Sequence, residues 1–372
     1  MADAVPNDER PTPDRLESLS HTTLGSRSDD VLARYSRQVL IPELGEDGQR
    51  RLMKGRATLI GCGALGTVQA EVLVRAGVGF LRICDRDYIE LDNLQRQVLF
   101  DETDLAAELP KAEAARRKLA LINSQVSVDA VVTHVDHTNI DALVSDADVI
   151  LDGTDNFETR YLINDWAVAN GRPWIYGAVI GTTGLCMPIV PGRTPCLRCV
   201  FEDAPPPELN PTCDTVGVLG SVVNVVASLQ ATEAIKILAG RSDALNCSLT
   251  SVDVWSGRMS NLNVSRARES GTCPCCDRRD FEYLEGQALA STTVLCGRDA
   301  VQIGGGGRRV DFDSIAAKLR PVATGEIRCN VFMLKARLSD CELTLFADGR
   351  AIIKGTHDAD HARSLYAKYI GA

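Results

Sequence analysis

Short apolar runs alternate along this chain with segments whose apolar positions recur every three or four residues. From residue 31 to 52 the pattern is helical, "VLARYSRQVLIPELGEDGQRRL", with a break near Pro42. "ATLIGCG" then reads as a buried strand entering a tight turn, residues 65–76 as a helix, and "FLRICDRD" as a second strand. "KAEAARRKLALIN" is helical and opens after Pro110, "VSVDAVVTHV" and "ADVILDGTD" are strands, and "ETRYLINDWAVANG" is a helix ending at Gly171. "PWIYGAVIG" and "GLCMPIVPG" resume the strand pattern, and an apolar helix, "VGVLGSVVNVVASLQATEAIKILAG", closes near Gly240. Strands alternating with helices predict an α/β fold, a Rossmann-like and mostly parallel sheet with helices on both faces.

The ends of the chain read differently. Residues 1–28 are polar, with prolines and acids but no periodicity, and suit a flexible arm. The α/β pattern occupies residues 29–280, and 281–291 read as a linker. Residues 292–372 form a separate small α+β unit whose last part reads strand, strand, strand, helix, with Asp348-Gly349 as a hairpin signal.

Composition narrows the function. The 372 residues are 45% hydrophobic and 24% charged, enough for one large core and a smaller one. The net charge of −10 argues against non-specific nucleic-acid binding, which needs a basic surface. No apolar run approaches the ~20 residues of a membrane span, and the acidic, Pro-rich start has no signal-peptide core. Thirteen cysteines without an export signal point to a reducing, cytoplasmic setting, where clustered thiols serve metal binding or chemistry.

Gly61, Gly63 and Gly66 form G-x-G-x-x-G between a strand and a helix. Glycines let the backbone turn sharply and approach a ligand closely, and the helix N-terminus favours negative charge. Asp85 closes the next strand, where a carboxylate can accept hydrogen bonds from ribose hydroxyls. Alone, this motif would suit an NAD-dependent oxidoreductase. Beyond Asp85, however, stand Asp87, Asn93, Arg96 and Gln97, with Lys111 at a helix start. Arg and Lys beside a glycine loop suit a triphosphate better than a nicotinamide, unless they merely form a solvated surface.

"RYSRQVLIPELGEDGQ", "GCGALG", "DRDYIELDNLQRQVLF", "PKAEAA", "LDGTDNFETRYLIND", "PCLRC" and "SLQATEAIK" follow one another in the order of the ThiF/MoeB/HesA family. The chain resembles that family from about residue 31 to 276. The resemblance implies an ATP-dependent adenylyltransferase that activates the C-terminal glycine of a ubiquitin-like sulfur-carrier protein, ending in Gly-Gly, for molybdopterin, thiamine or related biosynthesis. It implies that Gly61, Gly63 and Gly66 shape the nucleotide loop, that Asp85 holds the ribose, and that Asn93, Arg96 and Lys111 contact phosphates. Ala64 departs from the second glycine of many relatives. Asp155 matches a magnesium-associated aspartate, although Asp155 and Glu158 also have the spacing of a helix cap. Arg37 matches an arginine that relatives insert into a neighbouring subunit, which implies a homodimer. Its alternative is an ordinary exposed helix arginine.

Cys196 and Cys199 form one C-x-x-C, and Cys273 and Cys276 a second. Four thiolates can hold zinc in a closed structural site, and relatives bring two such distant pairs together. Cys275 competes as a ligand, and a redox C-x-x-C is the alternative reading. Cys213 aligns with a cysteine in the loop that crosses the adenylate site of relatives, where it is a nucleophile or a bystander. Cys62, Cys84, Cys186 and Cys247 read as core.

The C-terminal unit lacks the cysteine loop of the rhodanese domain found in some long relatives, so the resemblance implies an external sulfur donor. A carrier-docking or dimer-supporting role suits it. His357 and His361 read as a solvated helix start rather than metal ligands, and "GGGGRR" as a flexible turn. Two rival readings remain beside the oxidoreductase: a non-catalytic carrier-binding adaptor, and a relative that activates a modified nucleoside.

Overall fold

A computed structural model of the protein describes residues 31–203, 216–269, 271–287, 292–295, 300–304 and 310–371. Cys213, Cys296 and most of the "GGGGRR" stretch lie outside these residues.

Two short helices, α1 (Ser36–Val39) and α2 (Gly45–Leu52), precede the first strand, with Pro42 in the break between them. There follow β1 (Arg56–Ile60), α3 (Ala64–Ala76), β2 (Phe80–Asp85), α4 (Glu102–Ala106), α5 (Lys111–Ile122) and β3 (Ser127–Val132). Then come α6 (Ile140–Val144), β4 (Val149–Asp152), α7 (Phe157–Asn170), β5 (Trp174–Ile180), β6 (Thr183–Ile189) and α8 (Leu197–Val200). The first unit closes with α9 (Gly220–Leu238), β7 (Leu249–Asp253) and β8 (Arg258–Leu262).

These strands form one eight-stranded sheet in the order β3-β2-β1-β4-β5-β6-β7-β8. The first five are mutually parallel and the last three join antiparallel. β4 is buried throughout, as expected of a parallel strand covered on both faces. One face packs α3, α5 and α9 through Leu73, Leu119 and Val226, and the other packs α6 and α7 through Leu143, Tyr161 and Trp166. α9 is long and apolar enough, by length and composition, to cross a membrane, which the sequence reading had not expected of any segment. Here it is a core helix, with Val222, Val223, Val226 and Ala227 buried against the sheet.

The second sheet is antiparallel. β9 (Thr292–Leu295), β10 (Ala300–Ile303), β11 (Arg328–Cys329), β12 (Met333–Arg337), β13 (Glu342–Phe346) and β14 (Ala351–Lys354) are ordered β11-β12-β13-β14-β10-β9. Helices α10 (Phe312–Leu319) and α11 (Ala359–Tyr369) cover it. Gly349, at φ 84°, turns the hairpin between β13 and β14. Asp358 caps α11 by accepting from the Asp360 and His361 amides, so His357 precedes the helix and His361 lies within it. The two histidines therefore do not share a helical face.

Candidate functional site

The strand order places the ends of β1, β2 and β4 side by side, with the direction of winding reversing at β1. Ligands of open α/β sheets bind in the crevice at that switch point. Three of the loops singled out in the sequence open on it: the glycine loop after β1, the segment beyond Asp85 at the end of β2, and the turn carrying Asp155 after β4.

The three glycines do different work. Gly61 has φ 90°, and a side chain on Gly66 would stand 2.1 Å from the Gly61 carbonyl oxygen. Gly153 is just as tightly placed, 2.4 Å from the same oxygen. These glycines are steric needs of the strand-to-helix turn. Gly63 is different: an added Cβ would meet only the Gln97 amide, at 3.9 Å. Packing within the fold therefore does not require a glycine there. Gly63 also heads α3 without a side-chain cap, which leaves the first amides of the helix for an anion.

Asp85 is buried. One carboxylate oxygen accepts from the Cys62 amide and the other from the Asp87 amide, each at 2.6 Å. It thereby ties the glycine loop to the segment after β2. Burial pushes its carboxyl above the usual range, against the pull of nearby Lys111. Lys111 starts α5, is itself buried, and its Nζ lies 3.5 Å from Asp87 Oδ2. Asn93 is fully buried in the loop, where its Oδ1 accepts from the Glu90 amide at 3.2 Å. Arg96 is half-buried and donates to the Asp92 carbonyl at 2.6 Å.

The turn after β4 settles the capping question. Asn156, not Asp155, caps α7, its Oδ1 accepting from the Thr159 amide at 2.8 Å. Asp155 is exposed, and its carboxylate has no hydrogen bond or ion pair among the described residues. Asp152 does more than finish its strand. It accepts from the Thr154 amide at 2.9 Å and pairs with Arg160 Nε at 3.0 Å, while Arg160 also donates to the Thr154 carbonyl at 2.7 Å. Gln69 of α3 and Gln230 of α9 both donate to the Asp152 carbonyl at 2.9 Å. Arg160, Gln69 and Gln230 escaped the sequence reading. Their signal was a polar side chain on an otherwise buried helix face.

The segment before β1 is anchored by buried Tyr35, whose hydroxyl accepts from Asn123 Nδ2 at 2.9 Å. Arg34 donates to the Ile122 carbonyl at 3.1 Å. Arg37 is exposed on α1 and makes no hydrogen bond or ion pair among the described residues. Leu40 and Ile41 beside it are also exposed.

Away from the crevice, Cys196, Cys199, Cys273 and Cys276 converge. Their sulfurs lie 3.6 Å (196 to 273), 3.7 Å (196 to 199) and 3.8 Å (199 to 276) apart, all within 4.8 Å of one another. A disulfide needs about 2.05 Å, whereas four sulfurs about 2.3 Å from a tetrahedral metal stand roughly 3.8 Å apart. The spacing is that of a metal site. Asn164 joins the two distant loops by accepting from the Leu197 amide at 2.8 Å and donating to Cys275 Sγ at 3.3 Å. Cys275 touches Cys196 as well, but its sulfur is not one of the four that lie mutually within 4.8 Å. Cys62, Cys84 and Cys186 are core, as expected, but Cys247 is only half-buried.

The fold and this crevice define a nucleotide-binding α/β protein. The ThiF family model matches residues 35–275, and the chain belongs to the ThiF family. It is similar to the sulfur carrier protein ThiS adenylyltransferase of Bacillus subtilis (strain 168), 44% identical over 342 residues that cover 92% of this chain and all of that protein. The SAMP-activating enzyme E1 of Haloferax volcanii is 37% identical over 265 residues, covering 70% of this chain and 96% of that one. The ThiS adenylyltransferase of Escherichia coli (strain K12) is 36% identical over 250 residues, covering 67% and 96%. Among solved structures, E. coli MccB with ATP superposes with a TM-score of 0.56 and 26% identity, over 66% of this chain and 74% of that chain.

Proposed function

We propose that the protein is an adenylyltransferase that joins AMP to the C-terminal glycine carboxylate of a small sulfur-carrier protein. One observation carries the reading: a chain matched over the whole length of a ThiS adenylyltransferase presents the open Gly63 loop, Lys111 and the exposed Asp155 around one crevice. A carrier carboxylate oxygen attacks the α-phosphorus of ATP. The bond to the β-phosphate oxygen breaks, and pyrophosphate leaves as the acyl-adenylate forms.

Little covalent work falls to the protein, whose contribution is positioning and charge neutralisation. The uncapped start of α3 and the buried Lys111 offer positive charge to the phosphates, with Arg96 and Asn93 on the adjoining loop. Asp85 is suited to the ribose. The exposed carboxylate of Asp155, which makes no hydrogen bond or ion pair among the described residues, fits a magnesium ion, which would supply further charge neutralisation at the phosphates. The four thiolates fit a structural zinc ion, one that closes two loops 77 residues apart. The solvent-facing Arg37, with Leu40 and Ile41, suits a homodimer in which each copy completes the other's site. Cys213 retains the role of candidate nucleophile, with the sulfur coming from an external donor. The ordered phosphate-side residues speak against an NAD-dependent oxidoreductase and against a bare adaptor.

The test is exchange of labelled pyrophosphate into ATP with a panel of carriers ending in Gly-Gly. Exchange with one carrier, lost when its last glycine is removed, supports the reading and names the partner. Absence of exchange with every carrier overturns it.

A further inference from the structure

The C-terminal sheet packs on the segment that follows β2. Tyr88 of that segment shares a small buried cluster with Ala300, Met333, Phe346 and Ile352, all from the second sheet. Lys335 Nζ stands 3.8 Å from the centre of the Tyr88 ring. On one side of Tyr88, buried Arg350 donates through both terminal nitrogens to the Arg86 carbonyl, at 3.4 and 3.3 Å. On the other, Lys354 pairs with Glu90 at 2.7 Å. The facing segment is held as well: Asn330 Nδ2 donates to the Glu108 carbonyl and Arg328 pairs with the Glu108 carboxylate, each at 3.1 Å. Glu108 has φ 49°, a left-handed conformation that a non-glycine residue keeps only where its surroundings enforce it.

The two held segments meet at the Tyr88–Pro110 bridge. The next residue is Lys111, whose amide donates to the Asp87 carbonyl at 2.8 Å. A grip on 86–90 and on Glu108 is therefore a grip on the start of α5.

We propose that the C-terminal sheet is a clamp that positions Lys111 against Asp87 at the phosphate end of the crevice, with Arg350 as its principal positioning residue. This rests on the adenylyltransferase reading. The match to the Bacillus subtilis protein covers 92% of this chain and so extends into the C-terminal unit. The match to the E. coli protein uses 96% of that protein on only 67% of this chain.

The test compares the wild-type full chain with Arg350→Met, Arg350→Lys, and Lys368→Met, which breaks a pair with Asp340 elsewhere in the same unit. Amide hydrogen exchange of the ligand-free proteins is read at 86–90, at 108–112 and in β13, beside the dissociation constant for a non-hydrolysable ATP analogue. Arg350→Met should speed exchange at Lys111 about tenfold, as losing a charged hydrogen bond at the bridge would. It should also weaken analogue binding about tenfold while β13 stays protected. Arg350→Lys should recover part of both, and Lys368→Met should change neither. Unchanged exchange at both segments in Arg350→Met overturns the clamp, as does loosening of β13 to the same degree. If Arg350→Met does not fold, the Asn330→Ala, Lys354→Met double variant takes its place under the same criteria. Failure of the wild type to bind the analogue counts against the adenylyltransferase reading, while the ligand-free exchange still judges the clamp.

Discussion

Arg160 Nε lies 3.0 Å from Asp152 Oδ2, and neither side chain reaches solvent appreciably. The pair binds the start of α7 to the end of β4 and, through the Thr154 carbonyl, shapes the turn that presents Asp155. Removing one member strands the other's charge in the interior. Arg160→Met should cost about 3–5 kcal/mol in a denaturant titration. A loss under about 1 kcal/mol would mean that water reaches Asp152.

The glycine loop separates folding from binding. Gly66→Ala puts a methyl 2.1 Å from a carbonyl oxygen that cannot withdraw, so it should lower the melting temperature sharply. Gly63→Ala meets nothing closer than 3.9 Å and should leave stability within about 1 kcal/mol. It should nevertheless weaken ATP binding, as measured by calorimetry. Equal ATP affinity in wild type and Gly63→Ala would place the nucleotide elsewhere.

Asp155 is exposed and caps nothing, so Asp155→Ala should keep the melting temperature and lose at least about a hundredfold in pyrophosphate exchange, as when an electrostatic contact to the reacting phosphates is removed. Mixing Asp155→Ala with Arg37→Ala chains should restore part of the activity if sites are completed between copies. No recovery would assign each site to one chain.

Metal analysis of the purified protein should give about one zinc per chain, as a closed four-thiolate site holds. Prolonged chelation, or Cys196→Ser, should unfold the loops bearing residues 196–199 and 273–276 before the parallel sheet, seen as early loss of their exchange protection. A metal-free preparation with those loops fully protected would refute the zinc assignment.

His134 gives the pH dependence. Arg86, which can only donate, faces its Nδ1 at 3.1 Å, so that nitrogen is unprotonated. Burial first, then Arg86 and Arg350, push its pKa down to about 4. The unfolded chain binds this proton near pH 6.5, whereas the folded one resists until about pH 4. The stabilisation is complete above pH 6.5 and declines as pH falls from there to 4, by at most about 1.4 kcal/mol per unit. His134→Gln, which still accepts from Arg86, should flatten stability against pH in that window. An unchanged slope would assign the loss to other groups.

Much of this molecule was legible in its sequence because local pattern and backbone need coincide. The strand-turn-helix around Gly61 to Gly66, the helix ending at left-handed Gly171 and the hairpin at Gly349 each follow from neighbouring residues alone. The order of the motifs likewise carried the family. The last two strands of the first sheet, β7 and β8, were less legible, since β8 is exposed along its length and shows no buried face.

What the sequence by itself determined is the residue inventory of the crevice and the thiol pairs, together with the helices and strands that carry them. The tertiary structure alone decided which of those residues are already committed. Asn156 rather than Asp155 caps a helix, Cys275 accepts from Asn164 and is not one of the four mutually close sulfurs, and Asp152 is consumed by Arg160. It also decided that the C-terminal sheet lies on Tyr88, more than 200 residues earlier in the chain. Such choices are made by contacts between distant segments, where burial forces each polar group to find a partner, and no local pattern records which partner it finds.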